Sequence, residues 1–151
     1  MGLNTDIFFI KAIKSNSELM SMLPAGDVYD NIANPDIDMD NVKIPYIIVN
    51  NDGGSNDRET KDELYEGYED TVNVSIRIVA RSRNDLSAIE TLVRDTILKY
   101  TKASEDDETK PYDYTFSYSD ISHDVNKPAF IRMFYYQCQT NNEILQESEQ
   151  P

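Results

Sequence analysis

The chain has 151 residues, 39% of them hydrophobic and 10% aromatic, which is enough apolar material for one folded domain and too little length for two ordinary ones. Twenty-eight acidic against fourteen basic residues give a net charge of −14, which repels a phosphate backbone and argues against nucleic-acid binding built on counterion release. No apolar run is long enough to span a bilayer, MGLNTDIFFIKAIK lacks the pattern of a signal peptide, and the lone Cys138 excludes an intrachain disulfide and a thiolate metal cluster.

In chain order, residues 5–23 place Ile7, Phe8, Ile10, Ala12, Ile13, Leu19, Met20 and Leu23 at mostly helical intervals. Asn4 or Thr5 offers a cap, Asp6 suits the positive end of the helix dipole, and Pro24 with Gly26 ends the helix. The text VYDNIANPDIDMDNV (28–42) reads as connection, with room for a short extended piece at Val28, Tyr29 and Ile32. IPYIIVN (44–50) is β-branched and aromatic and predicts a strand with its proline near the start. Residues 51–69, NDGGSNDRETKDELYEGYE, are polar and too long for a hairpin turn, so a long loop is expected.

In DTVNVSIRIVARSRNDLSAIETLVRDTILKY (70–100), Val72, Val74, Ile76 and Ile78 share one face of a strand, and Thr71, Asn73, Ser75 and Arg77 the other. The second face is expected to meet water or a partner. Ser82 or Asn84 then caps a helix whose stripe is Leu86, Ile89, Leu92, Val93, Ile97 and Tyr100. ASEDDETK (103–110) is a second acidic loop. In YDYTFSYSD (112–120), Tyr112, Tyr114, Phe116 and Tyr118 alternate with polar residues as in a half-buried strand. AFIRMFYYQCQ (129–139) gives the last strand. The fold class is α+β: a mainly antiparallel twisted sheet of about four strands with two helices on one face. Residues 1–140 form a single domain, with the long polar loop at 51–69, and 141–151 are a polar tail.

No stretch assembles a catalytic constellation, so no catalytic, cofactor-binding or metal-binding residue is assigned. His123 is the sole histidine, and the nearby Ser119 and Ser122 sit in no nucleophile motif, so a loop histidine is the reading. DGGSND (52–57) has the paired glycines of a phosphate loop but neither the following lysine nor its hydroxyl residue, and reads as a flexible turn. DIDMD (36–40) lacks the glycine and glutamate of a calcium loop and reads as solvated connection. Cys138 shares a strand face with Phe134 and Tyr136, which suits a buried side chain. The alternating tyrosines serve the sheet, with an interface or a platform stacking a sugar or base as alternatives.

Charge is unevenly distributed. Residues 50–70 carry eight acidic and two basic side chains, and residues 105–124 seven and one, whereas residues 71–104 carry six basic and three acidic. The alternatives are a solvated face flanked by solubilising loops and a surface complementary to itself across a repeated contact.

The N-terminal helix, the proline-containing connection, IPYIIVN, a long polar insertion and DTVNVSIRIVARSRNDLSAIETLVRDTIL together make residues 5–138 similar to the tail-terminator (tail-completion) and minor head-tail joining proteins of long-tailed bacteriophages. The resemblance implies a non-enzymatic, hexameric ring that caps the tail tube and joins it to the head connector. Its implied partners are further copies of itself, the connector or head-completion protein, and the tail tube protein, and DNA passes through without specific binding. The implied location is the tail or neck of the virion, with the host cytoplasm as the site of assembly and no membrane involved. The acidity of the 51–69 insertion and the tyrosine-rich strand depart from the pattern, which leaves another neck ring open. A small cytosolic ligand-binding domain or enzyme is the alternative from a different class. Within a ring, carboxylates such as Asp57, Glu59, Asp62, Glu63, Glu105, Asp106, Asp107 and Glu108 are expected to meet Arg77, Arg81 and Arg83 of the next subunit. Residues 51–69 are accordingly expected to become ordered by neighbouring subunits.

Overall fold

Two hydrophobic periods, 2.0 and 3.6 residues, set the architecture of this chain, whose computed structural model describes residues 5–24, 28–30, 44–57, 68–103, 111–124 and 129–142. The elements are α1 (Thr5–Lys14), α2 (Ser17–Ser21), β1 (Tyr29–Asp30), β2 (Tyr46–Asp57), β3 (Tyr68–Ala80), α3 (Arg83–Ala103), β4 (Tyr112–Tyr118), β5 (Ser122–Asp124) and β6 (Ala129–Asn142). The fold is α+β. One sheet has the order β1-β2-β3-β6-β4, with β5 also on β6. All pairings are antiparallel except that of β1 with β2. Because β3 occupies one edge of β6 from Phe130 to Asn142, β4 and β5 share the other.

The β-branched alternation of β3 puts Val72, Val74, Ile76 and Ile78 on the helix side, each 3% exposed or less. Val49 and Ile47 of β2 and Phe134, Tyr136 and Cys138 of β6 join them from the neighbouring strands. The helices close this core with Leu86, Ile89, Val93 and Ile97 of α3 and Phe8, Phe9, Ala12 and Ile13 of α1. Each fully buried aliphatic side chain contributes about 1.5–3 kcal/mol.

Several expectations change. The first helix breaks in two at Ser15 and Asn16, where the Asn16 Oδ1 accepts the Leu19 N–H and starts α2 afresh. In α1, Ile7 points outward at 43% exposure, and Phe9 is fully buried in its place, against the rings of Phe8, Tyr114 and Tyr136. The face of β3 away from the helices is also partly covered: Ser75 and Val79 are buried, the latter with Tyr46, Ile48 and Ala129 in a second, smaller cluster.

A further change concerns 51–69. Residues 51–57 continue β2 and residues 68–69 open β3, paired as far as Asp57 with Glu69, so the segment is not a loop throughout; residues 58–67 lie outside the described residues. The glycines of DGGSND are a β-bulge, not a flexible turn, for the register slips one residue between Asn51 opposite Val74 and Gly54 opposite Val72. Gly53 takes φ +87° and donates its N–H to Asn51 Oδ1, while Gly54 lies so close to the Thr71 carbonyl that a Cβ would sit 2.1 Å from its oxygen. At this same end of the sheet β6 runs to Asn142, opposite Tyr68, so residues 141–142 belong to a strand, while residues 143–151 lie outside the described residues.

Candidate assembly interface

The ladders separate the charged segments along the sheet. Asp57 and Tyr68, from which the connection 58–67 departs, mark one end of β2 and β3, and Tyr68 pairs with Asn142. The connection 104–110 begins and ends nearby. Thr101, two residues before α3 ends, has its Oγ1 3.5 Å from the Tyr114 hydroxyl, and Tyr112 pairs with Gln139, itself the partner of Thr71. Both acidic connections therefore leave from the same end of the sheet. β3 runs thirteen residues to its other end at Ala80, about 40 Å at the usual rise per residue.

Arg81 and Arg83 stand at that opposite end, exposed in the turn after β3 and at the first residue of α3. Ser82 Oγ accepts the Asp85 N–H there, choosing Ser82 over Asn84 as the cap. Arg77 is half-buried farther up β3, on the face away from the helices and opposite Ile48 and Met133. The three arginines thus share one half of the molecule but not one face. Among the described residues none of them pairs with a carboxylate. Asp57 closes β2, while Glu59, Asp62, Glu63, Glu105, Asp106, Asp107 and Glu108 lie outside the described residues.

Sequence reading missed a second basic feature, where α3 faces the β4 edge. Arg132 Nε donates to Glu90 Oε2 at 2.9 Å and its Nη1 to the Ser119 carbonyl at 2.6 Å, with the guanidinium 5.1 Å from the Tyr118 ring centre. Arg94 lies over Phe116 at 4.6 Å. The signal was present in the pattern: Glu90 and Arg94 are four residues apart on α3, and Arg132 sits at an inward position of β6, where an apolar residue would be expected. Tyr118 is 60% exposed, so of the tyrosine strand Tyr114 and Phe116 pack on the core while Tyr118 lies at its margin.

The candidate chemical groups have structural occupations. His123 is in strand β5, not in a loop, and stacks on Phe130 at 4.5 Å. Ser119 Oγ donates to the Asp120 carbonyl and accepts the Met133 N–H. Burial pushes the Cys138 thiol and the Tyr114 hydroxyl each up to about 12, and the Tyr136 hydroxyl above its usual range too. DIDMD lies outside the described residues, and among the described residues no cluster of three or more His, Cys, Asp or Glu could hold a metal. No described helix is long and apolar enough to cross a membrane.

With this geometry in view, the fold has a counterpart among solved structures. The chain is similar to one from the virion of a native gene transfer agent particle, with a TM-score of 0.56 and 10% identity over 89% of this chain and 92% of that one. A likeness at that identity establishes a shared fold. No family model matches the sequence, and no curated protein matches it.

Proposed function

We propose that this chain is a structural, non-enzymatic virion protein of a phage-like particle, forming a ring at the head-tail junction that caps the tail tube and joins it to the connector. The observation that carries the reading is the shared fold with a virion chain over nearly the full length of both. A repeated heterologous contact closes into a ring when one end of a subunit fits a different surface of the next, and two such surfaces are supplied by the acidic connections and, apart from them, the arginines that have no carboxylate partner among the described residues. The net charge of −14 also suits a channel through which DNA passes without adhering. A hexamer is the expected ring, by resemblance to the tail terminators.

Removal of this chain from the producing particle is the test. DNA-filled heads and finished tails should accumulate unjoined and be joined when the chain is added back. Complete infectious or transferring particles formed without it would overturn the assignment.

A further inference from the structure

Arg132 stands between two adjoining hollows along the α3 side of the β4 and β5 edge. One, of about 210 Å³, is bounded by Thr91, Arg94, Phe116 and Tyr118, and the other, of about 380 Å³, by Arg83, His123 and Phe130. A single arrangement recurs along this groove, a nitrogen-bearing plane laid near an aromatic ring: Arg94 over Phe116, Arg132 over Tyr118, and His123 on Phe130. Glu90 and the Ser119 carbonyl hold Arg132 in place. Arg83 and Arg94 have no carboxylate partner among the described residues. Oriented guanidinium groups beside exposed ring surface suit a peptide segment that alternates carboxylates with an apolar or aromatic residue.

We propose that this groove receives residues 58–67 of a second copy of the chain, an inference that rests on the self-assembly proposed above. That segment, RETKDELYEG, carries Glu59, Asp62, Glu63 and Glu66 around Leu64 and Tyr65, which matches the cations and rings of the groove. The same chain's own segment falls short of the groove even at its nearer end, since Phe116 pairs with Tyr136, itself opposite Val74, six residues along β3 from Tyr68 or about 20 Å, whereas a connection of ten residues folded back on itself reaches about 17 Å. A phosphate backbone is a poorer occupant, because Glu90 and Asp120 line the groove and the chain as a whole is strongly acidic.

The test uses two full-length single variants, Thr91→Cys on the exposed rim and Asp62→Cys on the acidic segment, mixed under mild oxidation. Cys138 is buried and does not compete. Disulfide-linked dimers containing one chain of each variant are expected, and adding Arg94→Glu to the first chain should lower their yield about tenfold while the circular dichroism stays unchanged. Rings seen by mass and electron microscopy without that cross-link overturn the groove assignment and leave the ring reading standing. Cross-linked open chains that never close retain the groove contact and overturn the ring. Absence of both overturns both. Binding of a single-stranded oligonucleotide that Arg94→Glu abolishes, with no cross-link, assigns the groove to nucleic acid and overturns the proposal.

Discussion

Gly54 shows how much a single residue can fix in this fold. Its missing Cβ lets β2 lie against the Thr71 carbonyl, so Gly54→Ala must displace backbone and is expected to cost about 1–3 kcal/mol, read as a lower urea midpoint. Gly53→Ala meets open space but forces φ +87° on a side-chain residue, and should cost about 1 kcal/mol. Ile76 is fully buried at the middle of β3, and Ile76→Ala should lose about 2–5 kcal/mol; a loss under about 0.5 kcal/mol would mean the face is not packed. Cys138 is informative through pH. Burial raises its thiol from 9.0 to about 12, so above pH 9 the unfolded chain releases a proton that the folded chain keeps. Stability from this group is complete below pH 9 and is lost as pH rises towards 12. Denaturation midpoints across that interval should fall less steeply in Cys138→Ala than in the parent, and parallel curves would contradict the burial argument.

At the scale of elements, legibility followed the strength of the period. The helix-facing stripes of β3 and α3 are legible in the sequence because their apolar period is uninterrupted, whereas the start of β3 at Tyr68 and the burial of Ser75 and Val79 on its other face are not. The sequence of the first helix reads as continuous because Leu19 and Leu23 keep the helical spacing across Ser15 and Asn16; the break depends on hydrogen bonds that hydropathy does not encode. Asn16 both caps α2 and donates from Nδ2 to Thr96 Oγ1 of α3 at 2.8 Å, so Asn16→Ala should cost about 1–2 kcal/mol, measurable by thermal melting. The extension of β2 past Asn50 was hidden for a different reason. Asn, Asp and Gly are poor strand formers, and there the ladder to β3 and the glycine bulge override local preference. Short β5 leaves too few residues for any period. Of the candidate site, the charge asymmetry was legible, while the groove around Arg132 was not, because it joins β4, β5, β6 and α3 only once the sheet is assembled.

At the scale of the whole molecule, the topology turns a charge pattern along the chain into a charge pattern along an axis. Acidic connections leave from one end of the sheet, and Arg81 and Arg83 stand at the other. An exposed ion pair contributes about 0.2–1 kcal/mol, so in the proposed ring the loss of one arginine should be tolerated. Reversing Arg77, Arg81 and Arg83 together to Glu should abolish assembly at low salt, with recovery when lysines replace carboxylates in 58–67 or 105–108. A triple variant that folds and assembles normally would make these arginines a solvated face. Whether the two ends of this fold join head to tail into a closed ring can be read from the mass and electron-microscopic class averages of the purified full-length chain. A closed ring with an open centre and one repeated heterologous contact is expected, and a chain that stays monomeric, or forms a two-fold dimer, at a concentration of about 100 μM would rule the ring out.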